Sequence, residues 1–413
     1  MRATTDDEPG VRRNALAALT ALGERWHDRP EAFNTIMRAT TDDEPGVRRN
    51  ALAALTALGE RWPDRPEAFN TIMRATTDDD PQVRHTALTA LGERWHDRPE
   101  AFNTIMRATT DNNADVRRTA LTALGKQWHN RPQALDTFLH ATTDNNADVR
   151  RTALTALGER WHDRPEAFNT IMRATTDDDP QVQRTALAAF KERWHDQPEA
   201  FNTIMRATTD DDPGVRRTAL AALTALGERW HDRPEAFNTI MRATTDDDPQ
   251  VRHTALAAFK ERWHDRPEAF NTIMRATTDD DPGVRRTALA AFKERWHDRP
   301  QALDTVLRAT TDNDLDVRRT ALTALGERWH DQPEAFNTFL RATTDNKPGV
   351  RRTALAALGE RWHDQPEAFN TIMRATTDNN ADVRRTALAA LGERWHDRPE
   401  AFDTFLRATT DNE

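Results

Sequence analysis

The chain has 413 residues, with 58 Lys and Arg against 68 Asp and Glu, a net charge of −10, 12 Trp, 21 Pro and neither Cys nor Tyr. Without cysteine there is no disulfide framework, thiol nucleophile or Cys-based zinc site. The two signs of charge are interspersed, which argues against a nucleic-acid binder with one basic face. No apolar run approaches the roughly 20 residues of a membrane span, and Met1 leads straight into repeated text with no visible signal peptide. A cytoplasmic location is expected.

The chain opens with "MRATTD", which reads as the tail of a helix. From there one sentence recurs, marked by Trp26, Trp62, Trp95, Trp128, Trp161, Trp194, Trp230, Trp263, Trp296, Trp329, Trp362 and Trp395. Successive tryptophans are 33 residues apart, except for gaps of 36 before Trp62 and Trp230. The first, second and seventh units carry the longer text "ALAALTALGERW". Three residues are nearly one helical turn, so the insertion is expected to lengthen a helix by about a turn. It should also change the local curvature across Ala51 to Trp62 and Ala219 to Trp230, without loss of stacking. A fixed period of this size means a repeat architecture, read here as a single elongated domain over 1–413.

Within one unit, Asp78 to Thr110, the residues Val83, Ala87, Leu88, Leu91 and Trp95 form one stripe of a 3.6-residue helix. Asp80 suits the N-cap and Pro81 the first helical position. Gly92 looks like a terminator, but Lys191, Lys260 and Lys293 occupy its slot elsewhere. The slot therefore reads as exposed and helical, and the helix as running to about Trp95. Asp97 and Glu100 flank Arg98-Pro99 in capping-box spacing, and a residue before proline resists helical geometry. A second helix of about ten residues follows, with Phe102, Ile105, Met106 and Thr109 on one face. Helices this short are marginal alone, so neighbouring hairpins must stack and bury a continuous core.

These residues resemble a HEAT repeat over nearly the entire chain. In that pattern Pro66 to Thr76 is the first helix, Asp78 the turn aspartate, Val83-Arg84 the following pair, and Ala87 to Gly92 the rest of the second helix. The resemblance implies an all-α fold, an α-solenoid of twelve stacked helix hairpins, three of them lengthened. It also implies a polar ladder of aspartate and arginine from unit to unit: Asp78, Arg84, Asp111, Arg117, Asp144, Arg150, Asp210, Arg216, Asp246 and Arg252. The ladder should be interrupted where Gln183 replaces arginine. The arrays of bacterial NACHT/STAND-type proteins look similar.

The chemistry-bearing residues have bland explanations. Aspartate runs such as Asp78-Asp79-Asp80 sit at a helix start, where negative charge is favoured, and other units break them with Asn. An EF-hand-type calcium site would also need a glycine bend and a distal glutamate. A histidine follows tryptophan once per unit, interrupted only by Pro63, too far apart for neighbouring histidines to share a zinc, and the chain has no Ser or Cys to act as nucleophile. Tryptophans at the end of an apolar stripe read as core. No P-loop, metal or flavin motif is present. No cofactor, catalytic residue or small-molecule substrate is expected.

The resemblance implies a non-enzymatic scaffold that binds a protein partner on the exposed slots of its second helices, here His85, Thr89, Gly92, Glu93 and His96 and their equivalents. These slots barely vary, so the surface suits a repetitive partner or another copy of itself. The alternative is a structural or self-assembling solenoid, natural or consensus-engineered. Some HEAT-like proteins are bilin lyases or DNA-glycosylase-like enzymes. Each would need a singular pocket, and only Leu315 and Lys347 stand out as local oddities. The closing "RPEAFDTFLRATTDNE" reads as a first helix without a partner, which suggests a piece of a longer array or one closed by self-association.

Overall fold

The computed structural model describes residues 2–21, 30–58, 66–194, 197–226 and 233–410. Among them are twenty-four α-helices and no strand. The fold is an α-solenoid of helix hairpins. Each hairpin pairs a short helix of ten residues, such as Pro66–Ala75 or Pro99–Ala108, with a long one, such as Pro81–Arg94 or Ala114–Gln127. The chain forms two compact units, residues 1–203 and 204–413. Within each unit, a long helix packs against its own short helix and against the long helices before and after it.

The helix boundaries follow from local chemistry. Asp80 caps the helix Pro81–Arg94, its side chain accepting the N–H groups of Gln82 and Val83, and Asn113 does the same for Asp115 and Val116. The helix runs through Gly92 and ends on Trp95, whose N–H returns to the Leu91 carbonyl. A tight turn follows, closed by the Arg98 N–H on the Trp95 carbonyl at 3.1 Å. The expected capping box at Asp97 and Glu100 does not form. The N-cap is Arg98, with no side-chain cap, while the Asp97 carboxylate stands in water 3.6 Å from His96 Nε2. The extended geometry imposed before Pro99 ends the turn without help from a side chain. Thr109 and Thr110 close the short helix by donating their hydroxyls to the Met106 and Arg107 carbonyls.

The core is the expected stripe. Val83, Ala87, Leu88 and Leu91 of the long helix, and Phe102 and Ile105 of the short one, are buried. Trp128, Trp161, Trp263, Trp296, Trp329 and Trp395 are also buried, and Trp95 and Trp362 are half-buried. Most of these rings meet a phenylalanine of their own hairpin, as Phe69 meets Trp95 with centroids 6.1 Å apart and Phe102 meets Trp128 at 6.0 Å, whereas the hairpin of Trp329 carries Leu303 in that slot. Such tilted pairs add roughly 0.5–1.5 kcal/mol beyond area burial. The indole N–H also links repeats: Trp128 Nε1 donates to the His96 carbonyl and Trp296 Nε1 to that of His264.

The insertions behave differently from expectation where they can be followed. The helix Pro213–Ala225 has 13 residues and reaches its C-cap at Leu226, so it is not a turn longer than its neighbours of 14. Its first half keeps the register, with Val215, Ala219, Leu220 and Leu223 buried. The burial continues to the end of the described stretch, where Thr224 and Leu226 are also buried. The expected curvature change rests on residues 59–62 and 227–230, which lie outside the described residues, as do Trp26, Trp62 and Trp230.

Two expectations about stability follow from this construction. Because each hairpin touches only its neighbours, removing the whole repeat 78–110 should leave a cooperatively folded protein with unchanged mean residue ellipticity. Loss of the helical circular-dichroism signal would contradict the modular stack. Lys347 is the N-cap of Pro348–Arg361 and makes no side-chain cap. Lys347→Asp should raise stability by about 1 kcal/mol in urea denaturation, and no gain would mean that this helix start is held by other contacts.

Candidate functional site

The polar ladder and the exposed face of the long helices arise from the same short sequence. Arg84 is anchored in the turn that precedes its own helix, where Nη1 donates to the Asp78 and Asp79 carbonyls at 2.8 and 3.1 Å. Its Nε and Nη2 then reach the Asp111 carboxylate of the next repeat at 2.9 and 2.8 Å. Asp111 in turn accepts the N–H of Asn113 and so shapes the turn that starts the next long helix. One fork thus ties two successive turns, the two-pronged geometry that guanidinium and carboxylate favour.

In the first unit such rungs join Arg12 to Asp42, Arg48 to Asp78, Arg84 to Asp111, Arg117 to Asp144 and Arg150 to Asp177. In the second they join Arg216 to Asp246, Arg252 to Asp279, Arg285 to Asp312, Arg318 to Asp345 and Arg351 to Asp378. Partners are 27 residues apart in ordinary repeats and 30 in lengthened ones, yet Arg48 and Asp78 still meet at 2.7 Å. The insertion is absorbed without moving the rung. Asp210 sits in the turn whose carbonyl accepts Arg216 Nη1 at 2.9 Å, and its carboxylate accepts the N–H of Asp212. Gln183 keeps only the local half of the arrangement, donating from Nε2 to the Asp177 carbonyl at 2.8 Å, and its Oε1 is buried without a partner.

At Asp78 and Asp378 the rung lowers the pKa of the carboxylate. For Asp78, burial pushes the pKa up. The Arg48 hydrogen bonds, the Asp80 N–H and the charges of Arg48 and Arg84 outweigh it, and the net direction is below 3.8. For Asp378 the Arg351 hydrogen bonds are the largest influence and again lower the pKa.

The five expected face residues do not share one fate. His85 and Glu93 are exposed, Thr89 and His96 are half-buried and Gly92 is buried. The expectation that Gly92 is exposed is therefore corrected. A Cβ there would lie 3.0 Å from the Ala123 Cβ on the next long helix, so the missing side chain lets the two helices approach. The slot accepts lysine where the side chain can run outward along the face: Lys260 reaches Glu294 at 3.1 Å and Lys293 reaches Glu327 at 3.0 Å. His85, Thr89, Gly92 and Glu93 line one groove of about 390 Å³ between Pro81–Arg94 and Ala114–Gln127, with Arg118, Thr119, Thr122 and Lys126 on the far wall. His96 is not part of that lining, because its carbonyl is turned to Trp128 in the seam. A second groove of about 300 Å³ lies one repeat on, shared by Arg118, Lys126, Asp148, Arg151 and Glu159.

Several features of this face were not anticipated from sequence. The second arginine of a pair does not simply face water, since Arg118 donates to Asp115 at 2.8 Å and Arg151 to Asp148 at 2.8 Å. The aspartate three residues earlier was the available signal. The imidazole Nδ1 of His85 meets the Thr119 hydroxyl across the groove, and the Arg98 guanidinium lies 4.6 Å from the centroid of the Phe69 ring one repeat back. Nothing in one repeat announces the last two contacts, because each joins two copies. Among the described residues no group of three His, Cys, Asp or Glu could hold a metal ion, and no helix is long and apolar enough to cross a membrane.

A family model for HEAT repeats matches ten overlapping stretches, from residues 2–77 and 70–158 through 303–392 and 336–413. No curated protein sequence matches. Among solved structures, Kap95 in the Kap95:Nup1 complex is similar with a TM-score of 0.67 and 16% identity, over 98% of this chain and 61% of that one. Yeast importin-beta (Kap95p) gives a TM-score of 0.66 and 15% identity, over 94% of this chain and 60% of that one. Kap121p gives 0.61 and 14% identity, over 93% and 47%. The chain spans about half to three-fifths of those proteins' length. At these identities the likeness is one of fold.

The rungs have a measurable consequence. Arg351→Gln removes the fork from Asp378 and should destabilise by about 1–3 kcal/mol in urea titration at pH 7. A carboxylate with a lowered folded pKa contributes stability that is complete above its unfolded value, here 3.8, and is lost as pH falls through the folded value. Wild-type stability should therefore drop below that pH, and the drop should be smaller in the variant. Parallel acid curves would show that the pair contributes nothing there.

Proposed function

Because the chain belongs to the HEAT-repeat family, we propose that it is a non-enzymatic scaffold that binds protein partners on the face of its long helices. The observation that carries this reading is the pair of grooves between Pro81–Arg94, Ala114–Gln127 and Ala147–Arg160. Their floor is made of small residues such as Gly92, Ala123 and Gly125, and their walls carry Thr, Glu, Arg and Lys. An apolar floor with a few directed polar groups suits side chains arriving from another protein.

The solved relatives favour the same reading. Kap95 is found with Nup1, and Kap121p with the extreme C-terminus of the phosphatase Cdc14p. A site of action in the cytoplasm belongs to this proposal. A second reading, self-association through the same face, is favoured by the near-identity of the repeats, since a uniform face can match a uniform partner.

The absence of cysteine makes a clean test available. A photo-crosslinker on Glu93→Cys, on the groove wall, should capture a protein partner from an extract of the cells that make this chain. The same label on Glu100→Cys, on an exposed short helix, should not. Capture of a second copy of the chain would favour self-association. Equal capture from both positions, or none from either, would sink the proposal that this face binds protein.

A further inference from the structure

The second basic residue of each pair divides the long helices into two kinds. Arg118, Arg151, Arg319 and Arg385 each hold an aspartate three residues earlier at 2.8, 2.8, 3.0 and 2.9 Å. In Pro213–Ala225, Pro249–Arg262 and Pro282–Arg295 that earlier position is Gly214, Gln250 and Gly283. No carboxylate of their own helix neutralises Arg217, His253 or Arg286. Arg217 and His253 form no ion pair among the described residues. Arg286 reaches only Asp316 of the next repeat, at 3.8 Å, and Asp316 already holds Arg319. All three side chains are exposed.

They occupy the same register on three successive long helices of one compact unit, so they stand in a row with a step of about 8–10 Å, the spacing of packed helices. His253 senses both neighbours. Its imidazolium is disfavoured first by partial desolvation among the neighbouring side chains, although the residue is exposed, and then by the charges of Arg217 and Arg286, with Lys260 adding to them and Asp281 opposing. The local field is therefore positive and calls for an anionic occupant.

The step also limits the occupant's backbone. A polyproline-II segment turns once per three residues with a rise of about 3.1 Å each, so every third side chain lies on one face about 9 Å from the last. In a β-strand, residues three apart point to opposite faces. We infer that Arg217, His253 and Arg286 form a docking row for an extended acidic segment of a protein partner, in polyproline-II geometry, with a carboxylate at every third residue. This inference rests on the scaffold reading above and names the chemistry of the partner.

The test uses the full chain and fluorescence anisotropy at low salt. The probes are a labelled peptide with Glu-Pro-Pro repeats, a peptide of the same composition with its glutamates clustered, and a single-stranded oligonucleotide. The periodic peptide should bind at least about fivefold more tightly than the clustered one, and added salt should weaken it. Arg217→Glu with Arg286→Glu should weaken it by about tenfold or more, and the milder Arg217→Gln with Arg286→Gln by less, both with unchanged circular dichroism. Arg118→Glu, at a position already neutralised by Asp115, should change binding by less than about twofold.

Equal binding of the two peptides would overturn the inference. So would indifference to the Arg217 and Arg286 substitutions, or tighter binding of the oligonucleotide. If the peptide arm fails while the Glu93→Cys crosslinker still captures a partner, only this docking row falls and the scaffold reading stands.

Discussion

A ten-residue helix such as Pro99–Ala108 does not persist alone in water, because nucleation costs more than so few hydrogen bonds return. The long helix is little better placed, since its own short helix covers only part of its Val, Ala and Leu stripe. Each hairpin therefore completes the core of the next. The requirement that every stripe be covered by a neighbour governs the chain's architecture. It explains why the same residues recur: each copy must be both a surface to be covered and a cover.

Apolar stripes alone leave register loose, since alanine and leucine slide against one another at small cost. The arginine fork removes that freedom. Arg84 is held by two carbonyls of its own turn and then grips the aspartate that shapes the next. Its burial is tolerated because most of its donors find acceptors. The lengthened repeats show how firmly the rung sets the frame, since three added residues leave the Arg48 to Asp78 contact at 2.7 Å. Gln183 shows what is lost without the fork: an amide that satisfies its own turn and leaves an oxygen buried and unpartnered.

The same regularity makes small departures on the open face informative. Where an aspartate stands three residues before the second arginine, the helix neutralises itself. Where glycine stands there, or glutamine as before His253, no carboxylate of the same helix neutralises the basic group. The exchange of Leu-Gly for Phe-Lys has a similar effect. It swaps a close helix contact at Gly92 for a lysine bridging to the next repeat at Lys260. Differences of this kind separate regions of the face that the shared core makes nearly identical.

Periodicity, caps and turn prolines made the hairpin legible from the chain alone. The 3.6-residue stripe, Asp80 before Pro81 and the 33-residue return of tryptophan are local signals, and local backbone chemistry obeys them. The tertiary structure decided whatever depends on two repeats meeting. It buried Gly92 under Ala123, although lysine in the same slot had suggested exposure. It left Asp97 in water where a capping box had been expected. It joined Trp128 to the carbonyl of His96, and it ended Pro213–Ala225 at Leu226 instead of a turn later. A sequence carries its periodicity explicitly, but the distance between two helices is set by the side chains at their contact, and that distance decides which slots stay open.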